Sequence, residues 1–169
     1  GHLTDDEFNL IATGTDLANL ADFMLINICV GNMDSTPSRF LSDLMGNNWQ
    51  AVRGNGQPFR FFLDDAEHTL GAMDHSIGID RSRSFPILAT NPEWNAHHFN
   101  PGWLHEVLLT RPEYRTIFRD RAAELIDLEG PLGTKASLAR WIELRDHIEP
   151  LIEAEAARWG YTGTRELGR

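Results

Sequence analysis

The sequence predicts a mainly α-helical fold with one short β-hairpin at about residues 49–63. At least four stretches carry apolar residues at the three- and four-residue spacing of an amphipathic helix. One pair of strand-like runs, WQAVR and FRFFLD, flanks an Asn-Gly turn signal. Because helical stretches outnumber the hairpin, we expect no extensive sheet.

Length and composition bound the domain count and the class of partner. The chain has 169 residues, 41% of them hydrophobic, which suits one domain with a core and is too short for two independent domains. Its formal net charge of −10 argues against nucleic acid or anionic lipid as a partner, because both need clustered Lys and Arg. The longest apolar run, FMLINICV at 23–30, is too short for a membrane span.

The helix predicted at residues 16–30 forms the centre of the core. Thr15 or Asp16 can cap its start, and Gly31 can end it. Its apolar positions recur at helical spacing and comprise Leu17, Leu20, Ala21, Met24, Leu25 and Ile28. Cys29 is the single cysteine, so no intramolecular disulfide can form, and its apolar neighbours predict that it is a core residue.

Two short elements follow the central helix. The segment RFLSDLMG at 39–46 is typical of a short helix initiated near Ser35 or Thr36. The hairpin comes next, with its turn at 54–57. Because a hairpin turn reverses the chain, residues just before the first strand lie beside residues just after the second.

The second half of the chain is predicted to be a long loop followed by three helices. Residues 71–100 show no sustained period, so we expect an ordered loop there. The helices cover 101–110, 111–128 and 134–160, and Pro150 is expected to kink the last one. The tryptophans are interpreted as packing anchors, except Trp94, which could face a ligand. The buried face predicted for the last helix comprises Leu138, Trp141, Ile142, Ile148, Leu151, Ile152 and Trp159.

Three acidic residues, Asp64, Asp65 and Glu67, follow the second strand of the hairpin. Neighbouring carboxylates repel one another, so they stay ionised together only where a cation, a donor or water compensates them. The hairpin turn brings Asn48 near Asp64 or Asp65, and the loop after the central helix can carry Asp34 to the same edge. Carboxylate and amide oxygens suit a hard divalent cation, so the pattern predicts a Mg²⁺ or Mn²⁺ site.

Each candidate residue also has a purely structural interpretation. Asp34 is typical of a turn or a cap, Asn48 of a helix end, and Asp65 of a solvated strand end. Asp64 is expected to face outward by alternation. A zinc cage is not favoured, because the spacing of the histidines does not suit four ligands at His75, His97, His98 and His105.

The order Asp34, Asn48, hairpin, Asp65 is the order that protein kinases use for phosphoryl transfer, in which an Asp orients the hydroxyl and an Asn and a later Asp hold metal. Over about residues 16–160 the chain resembles the spore coat protein H (CotH) family of atypical protein kinases. The similar segments, in the same order, are LADFMLINICVGNMD, GNNWQAVR, FRFFLDDAEHTLG, PEYRTIFRDRAAEL and EAEAARWG.

The resemblance implies a role for each candidate residue. Asp34 would be the catalytic acid or base, and Asn48 and Asp65 would bind metal and, through it, the nucleotide. Glu67 would be a second metal ligand or would hold a water molecule. The implied cofactors are ATP and Mg²⁺ or Mn²⁺. Two features depart from the family pattern: the stretch between Asp34 and Asn48 is long, and Ser35 stands where members often have an aromatic residue.

The resemblance also implies which part of a kinase these residues are. Residues 16–160 would be the helical C-lobe, residues 1–15 an N-terminal extension and residues 161–169 a tail. In a kinase the N-lobe that holds the phosphates, with its lysine, precedes these motifs. Lys135 follows them and is interpreted as a surface charge, so the N-lobe is expected to be missing here. A start at Gly1 instead of Met indicates a piece of a longer protein.

The implied function is transfer of the ATP γ-phosphoryl group to Ser or Thr of a surface or coat protein. The full-length parent would be secreted, on the cell surface or in the spore coat, and the isolated chain would be inactive. Two alternatives stay open. The scaffold could serve as a non-catalytic surface or adhesion module, or the same carboxylates could support metal-dependent hydrolysis with water as the acceptor.

Overall fold

The computed structural model describes residues 3–32, 34–36, 47–70 and 101–159. In chain order their elements are α1 (Asp5–Gly14), α2 (Leu17–Cys29), β1 (Trp49–Val52), β2 (Arg60–Leu63), α3 (Pro101–Leu108), α4 (Pro112–Ile126) and α5 (Thr134–Trp159). The predicted mainly α fold with one short hairpin is confirmed. The chain divides into two compact units, residues 1–125 and residues 126–169, and each is described by itself.

Helix α1 lies in the segment that was expected to be an extension. Thr4 Oγ1 accepts a hydrogen bond from the Glu7 N–H (3.3 Å), and the Glu7 carboxylate accepts one from the Thr4 N–H (2.8 Å), which forms a capping box. Phe8 is buried in the core of the first unit. The Arg111 guanidinium lies over the Phe8 ring at 5.1 Å and donates to Asp5 Oδ1 (2.7 Å). These contacts hold α1 to the start of α4.

Helix α2 is the centre of the core, as the spacing of its apolar residues predicted. The Asp16 carboxylate caps it by accepting a hydrogen bond from the Asn19 N–H (3.0 Å), and Gly31 follows its end at φ +61°. The prediction for Cys29 was wrong, because this residue is exposed. At about 100° per residue, Cys29 lies about 140° around the helix axis from the fully buried Met24. The other buried apolar residues of α2 are Leu20, Ala21, Phe23 and Leu25.

The hairpin forms where the sequence placed it. Its strands are antiparallel, and Trp49 pairs with Leu63 at the open end. The turn is closed by a hydrogen bond from the Gln57 N–H to the Gly54 carbonyl oxygen (3.1 Å). Gly56 adopts φ +70°, a left-handed conformation that glycine takes without strain. The Asn-Gly signal therefore fixed both the turn and the register.

The outer edge of β2 is paired with the start of α2. Phe61 is 4% exposed, and its ring centroid lies 6.1 Å from that of Phe23. Asn19 Oδ1 accepts the Phe61 N–H at 2.6 Å, and Asn19 Nδ2 donates to the Phe61 carbonyl at 3.2 Å. The Phe59 carbonyl accepts the Asp16 N–H at 2.9 Å. The amide of Asn19 thus makes the two bonds that a neighbouring strand would make.

We expect Asn19→Ala to lower the free energy of unfolding by about 2 kcal/mol, because both backbone polar groups of Phe61 lose their partner beside the core. Urea denaturation measures the change. Asn9→Ala is the matched control, since Asn9 is exposed on α1 and its loss should cost less than about 0.5 kcal/mol. Equal losses in the two variants would show that the Asn19 bonds contribute nothing specific.

Helices α3 and α4 complete the first unit. His105 on α3 and Tyr114 on α4 are buried, and His105 Nδ1 lies 2.8 Å from the Tyr114 hydroxyl oxygen. Arg121 on α4 makes a bidentate contact with Asp22 on α2, at 2.6 Å and 2.8 Å to the two carboxylate oxygens. Leu104 and Leu108 of α3 are buried in the same core as α2.

The second unit contains helix α5, which continues through Pro150. Gly133 precedes α5 and lies so close to the Asp127 carbonyl that a Cβ atom would clash with it. The buried face predicted for this helix was wrong in its described members, which are exposed: Leu138, Trp141, Ile142, Ile148, Leu151 and Ile152. Periodicity identifies an apolar face, but it does not identify a surface that covers the face.

Some predictions concern residues outside the described ranges, namely the short helix at 39–46, the loop at 71–100 and the tail at 161–169. Of the helices that the structure does describe, none is both long enough and apolar enough to cross a membrane.

Candidate functional site

Asn48 connects the two acidic segments that the sequence analysis singled out. It precedes β1 and adopts φ +50°, a conformation that asparagine tolerates better than most residues. Its Nδ2 donates to Asp34 Oδ2 at 2.9 Å and to the Asp65 main-chain carbonyl at 3.1 Å. Both partners are acceptors, so the orientation of the amide is fixed. Its carbonyl oxygen, Oδ1, is the atom that the amide can offer to a further ligand.

Asp34 lies in a short segment that follows α2 in the sequence and contacts the first turn of α3. Its side chain is largely buried, at 7% residue exposure. The Asp34 N–H donates to Asn32 Oδ1 at 3.0 Å in an Asx turn. Two residues later, Thr36 Oγ1 accepts the Gly102 N–H at 2.8 Å. The backbone of this segment is therefore fixed independently of the Asp34 carboxylate.

The loop after β2 is fixed at both of its ends. At the start, the Asp64 N–H donates to the Asn48 carbonyl at 3.0 Å. At the end, the Leu70 N–H donates to the Val30 carbonyl at 2.7 Å, next to the C-terminus of α2. Asp65 adopts φ +43°, so the chain turns away from the strand direction there. The hairpin and α2 together position this loop.

The carboxyl groups of Asp65 and Glu67 interact with each other. A hydrogen bond between their side chains, reinforced by the charge of Glu67, raises the pKa of Asp65, and the same hydrogen bond lowers the pKa of Glu67. The charge of Asp34 acts on both carboxyls and disfavours ionisation. His68 Nε2 lies 3.2 Å from Glu67 Oε1.

The structure brings the candidate residues together in part. Asn48 contacts Asp34 through side chains and Asp65 through the main-chain carbonyl, while Glu67 is linked through Asp65. Asp64 is exposed, as expected, and its carboxylate accepts a hydrogen bond from Gln50 at 2.8 Å. Within the described ranges, no group of three or more His, Cys, Asp or Glu residues is placed to hold a metal ion.

The histidines give no support for zinc in the part of the chain that is described. His105 is 3% exposed and contacts Tyr114 and, at a ring distance of 4.8 Å, Phe118. Burial lowers the pKa of His105 to about 4, so the ring is neutral at physiological pH. His105 is therefore a core residue. His75, His97 and His98 lie outside the described residues.

Sequence reasoning missed two asparagines that contact Asp34. Asn32 accepts the Asp34 N–H, and Asn47 donates from Nδ2 to Asp34 Oδ2 at 3.1 Å. The Asn-x-Asp spacing at 32–34 is a recognisable Asx-turn signal. For Asn47 the only signal was its position beside Asn48, which is equally typical of a helix end.

Comparison with known proteins gives one match. The sequence profile of the family described as CotH kinase protein matches residues 4–167. No curated protein and no solved structure matches the chain. The matched region covers nearly all of the 169 residues, includes α1, and contains every candidate site residue. The chain belongs to the CotH kinase protein family.

Proposed function

We propose that these residues form the helical C-lobe of a protein kinase that transfers the ATP γ-phosphoryl group to Ser or Thr of a surface or coat protein. The observation that carries the proposal is the Asn48 amide, which joins the Asp34 carboxylate and the Asp65 carbonyl within hydrogen-bonding distance. Phosphoryl transfer needs a base and a metal-binding group held side by side, because catalysis is mostly positioning and charge stabilisation. Family membership supports the same reaction class.

The oxygen atoms near Asn48 fit a hard divalent cation. Asn48 can present Oδ1 because its two amide protons are used by Asp34 and Asp65. The charge of Glu67 acts on Asp65 and disfavours its ionisation, so positive charge is favoured beside these two carboxyls. We assign Asn48 and Asp65 as ligands of Mg²⁺ or Mn²⁺, and Glu67 as a second ligand or the holder of a bound water. Such a cation neutralises the charge of the ATP phosphates.

Asp34 is assigned as the group that orients the acceptor hydroxyl and takes its proton. The hydroxyl oxygen forms a bond to the γ-phosphorus, the bond from that phosphorus to the β,γ-bridging oxygen breaks, and ADP leaves with the bond's electron pair. The hydroxyl proton passes to the Asp34 carboxylate. Asn48 keeps this carboxylate next to the loop after β2, whose Asp65 would hold the metal ion.

The nucleotide needs contacts that the described residues do not provide. The sheet within the described ranges has two strands, and Lys135 forms a surface ion pair with Glu129 at 2.8 Å. In kinases a glycine-rich sheet and a lysine hold the phosphates from the other side. We propose that residues outside this chain supply that lobe, so the isolated chain binds ATP weakly and transfers nothing.

The test is a transfer assay with ATP labelled at the γ-phosphate, Mg²⁺ or Mn²⁺, and the full-length protein beside the 169-residue chain. We expect label on Ser or Thr with the full-length protein only. Labelling by the isolated chain would refute the missing-lobe proposal. Release of inorganic phosphate without protein labelling would indicate the hydrolase.

A binding module without turnover is the second candidate. The observation that favours it is the burial of Asp34, since 7% exposure leaves little surface for an acceptor hydroxyl. In that case the full-length protein would bind a divalent cation through Asp65 but would neither label an acceptor nor release phosphate.

A further inference from the structure

Asp34 Oδ2 accepts hydrogen bonds from two adjacent amides. Asn47 Nδ2 donates to this oxygen at 3.1 Å, and Asn48 Nδ2 donates to it at 2.9 Å. Asn47 is itself anchored by its backbone, because its N–H donates to the Ser35 carbonyl at 2.6 Å. The two chain segments are therefore tied together by side chains at Asp34 and by the main chain at Ser35.

The two amides differ in what else they contact. Asn48 Nδ2 also donates to the Asp65 carbonyl, so it is shared between the base and the metal-binding loop. The side-chain amide of Asn47 contacts Asp34 Oδ2, and its backbone lies against the residue that follows Asp34. A second donor on the same oxygen restricts the orientation of the Asp34 carboxylate more than one donor does.

We propose that Asn47 is a positioning residue that fixes the orientation of the Asp34 carboxylate for phosphoryl transfer, and this inference rests on the proposed function. Asn47 acts through Asp34 and holds neither nucleotide nor metal. Its removal should therefore slow turnover without weakening the binding of ATP or of the divalent cation. Asn48, in contrast, serves both Asp34 and the metal site.

The experiment compares Asn47→Ala and Asn47→Asp in the full-length protein. For Asn47→Ala we expect kcat to fall about 10- to 100-fold, as is typical when a partner that orients a reactive group is removed. KM for ATP and the affinity for Mn²⁺, followed by electron paramagnetic resonance, should change less than twofold. Asn47→Asp keeps the shape but replaces the donor with a carboxylate facing Asp34, so kcat should fall further than in Asn47→Ala.

If Asn47 served only in packing, kcat would fall less in Asn47→Asp than in Asn47→Ala, because aspartate has the shape of asparagine. Wild-type kcat in Asn47→Asp, or a parallel loss of Mn²⁺ affinity in Asn47→Ala, would overturn the proposal. A double-mutant cycle with Asp34→Ala tests the contact without turnover: we expect the two shifts in urea midpoint to be non-additive. Additive shifts would refute the positioning role of Asn47 but leave the proposed function untouched. A wild-type protein that transfers no phosphate would refute both the proposed function and this role.

Discussion

Asp65→Asn is expected to lower divalent-dependent phosphoryl transfer by the full-length protein about a thousandfold, because it removes the charged ligand that we propose for the metal ion, where phosphate charge must be neutralised. The fold should remain intact. Asp65 is exposed and adopts φ +43°, and asparagine is among the residues that tolerate this backbone conformation best. An alanine at this position would add backbone strain, so the effect of losing the carboxylate could not be separated from the effect of a weakened fold.

The neighbouring acid provides the matched control. Asp64 is exposed and one residue away, but its carboxylate accepts a hydrogen bond from Gln50 on the hairpin. Asp64→Asn makes the same chemical change and should leave transfer within about twofold of wild type. Isothermal titration with Mn²⁺ should show an affinity loss of about tenfold or more in Asp65→Asn only. Equal activity losses in the two variants would mean that general negative charge, and not a ligand at Asp65, supports the reaction.

Local signals explain what could be predicted of this site. The Asn-Gly turn and the alternation of FRFFLD fix the register from within fifteen residues, so Asn48 and Asp65 had to lie at the same end of the hairpin. The observed contact uses the main-chain carbonyl of Asp65, because a left-handed turn at this residue presents that carbonyl to Asn48. Register predicts which residues meet, but it does not predict which atoms meet.

Non-local contacts explain what could not be predicted. Asn47 reaches Asp34 across thirteen residues, and no periodic pattern encodes that approach. Helix α1 carried a readable Thr-x-x-Glu capping box, but Phe8 is its one buried residue, so its apolar pattern was too weak to stand out. Cys29 was misplaced for the opposite reason: it lies within an apolar run, but on the far side of the helix from the buried Met24.

The core of the first unit contains an ionisable side chain that should make stability depend on pH. His105 is 3% exposed, and burial lowers its pKa from 6.5 to about 4. The unfolded chain takes up this proton near pH 6.5, whereas the folded chain takes it up only near pH 4. Between these values the unfolded state binds more protons, so the stabilisation is complete above about pH 6.5 and is lost as the pH falls towards 4.

We expect acidification from pH 7 to pH 4 to remove about 3 kcal/mol of unfolding free energy through His105. His105→Asn should be less stable at pH 7, because a smaller side chain leaves a cavity beside Tyr114, but its stability should fall less steeply with acid. The half-buried Glu106, whose pKa is raised by burial, contributes the opposite slope and is unchanged in the variant. The difference between the two proteins therefore isolates His105.

Urea denaturation at several pH values between 4 and 7.5 measures this difference, and His147→Asn is the control because His147 is exposed on α5. The wild-type protein and His147→Asn should lose stability in parallel, while the curve of His105→Asn should approach theirs as the pH falls. Parallel curves for all three proteins would mean that folding does not lower the pKa of His105, so that the folded chain also takes up this proton near pH 6.5. Its Nδ1 would then have to act as a donor to the Tyr114 hydroxyl, and the ring would carry a charge in the buried core of the first unit. That cost is the physical reason to expect the acid-sensitive curve instead.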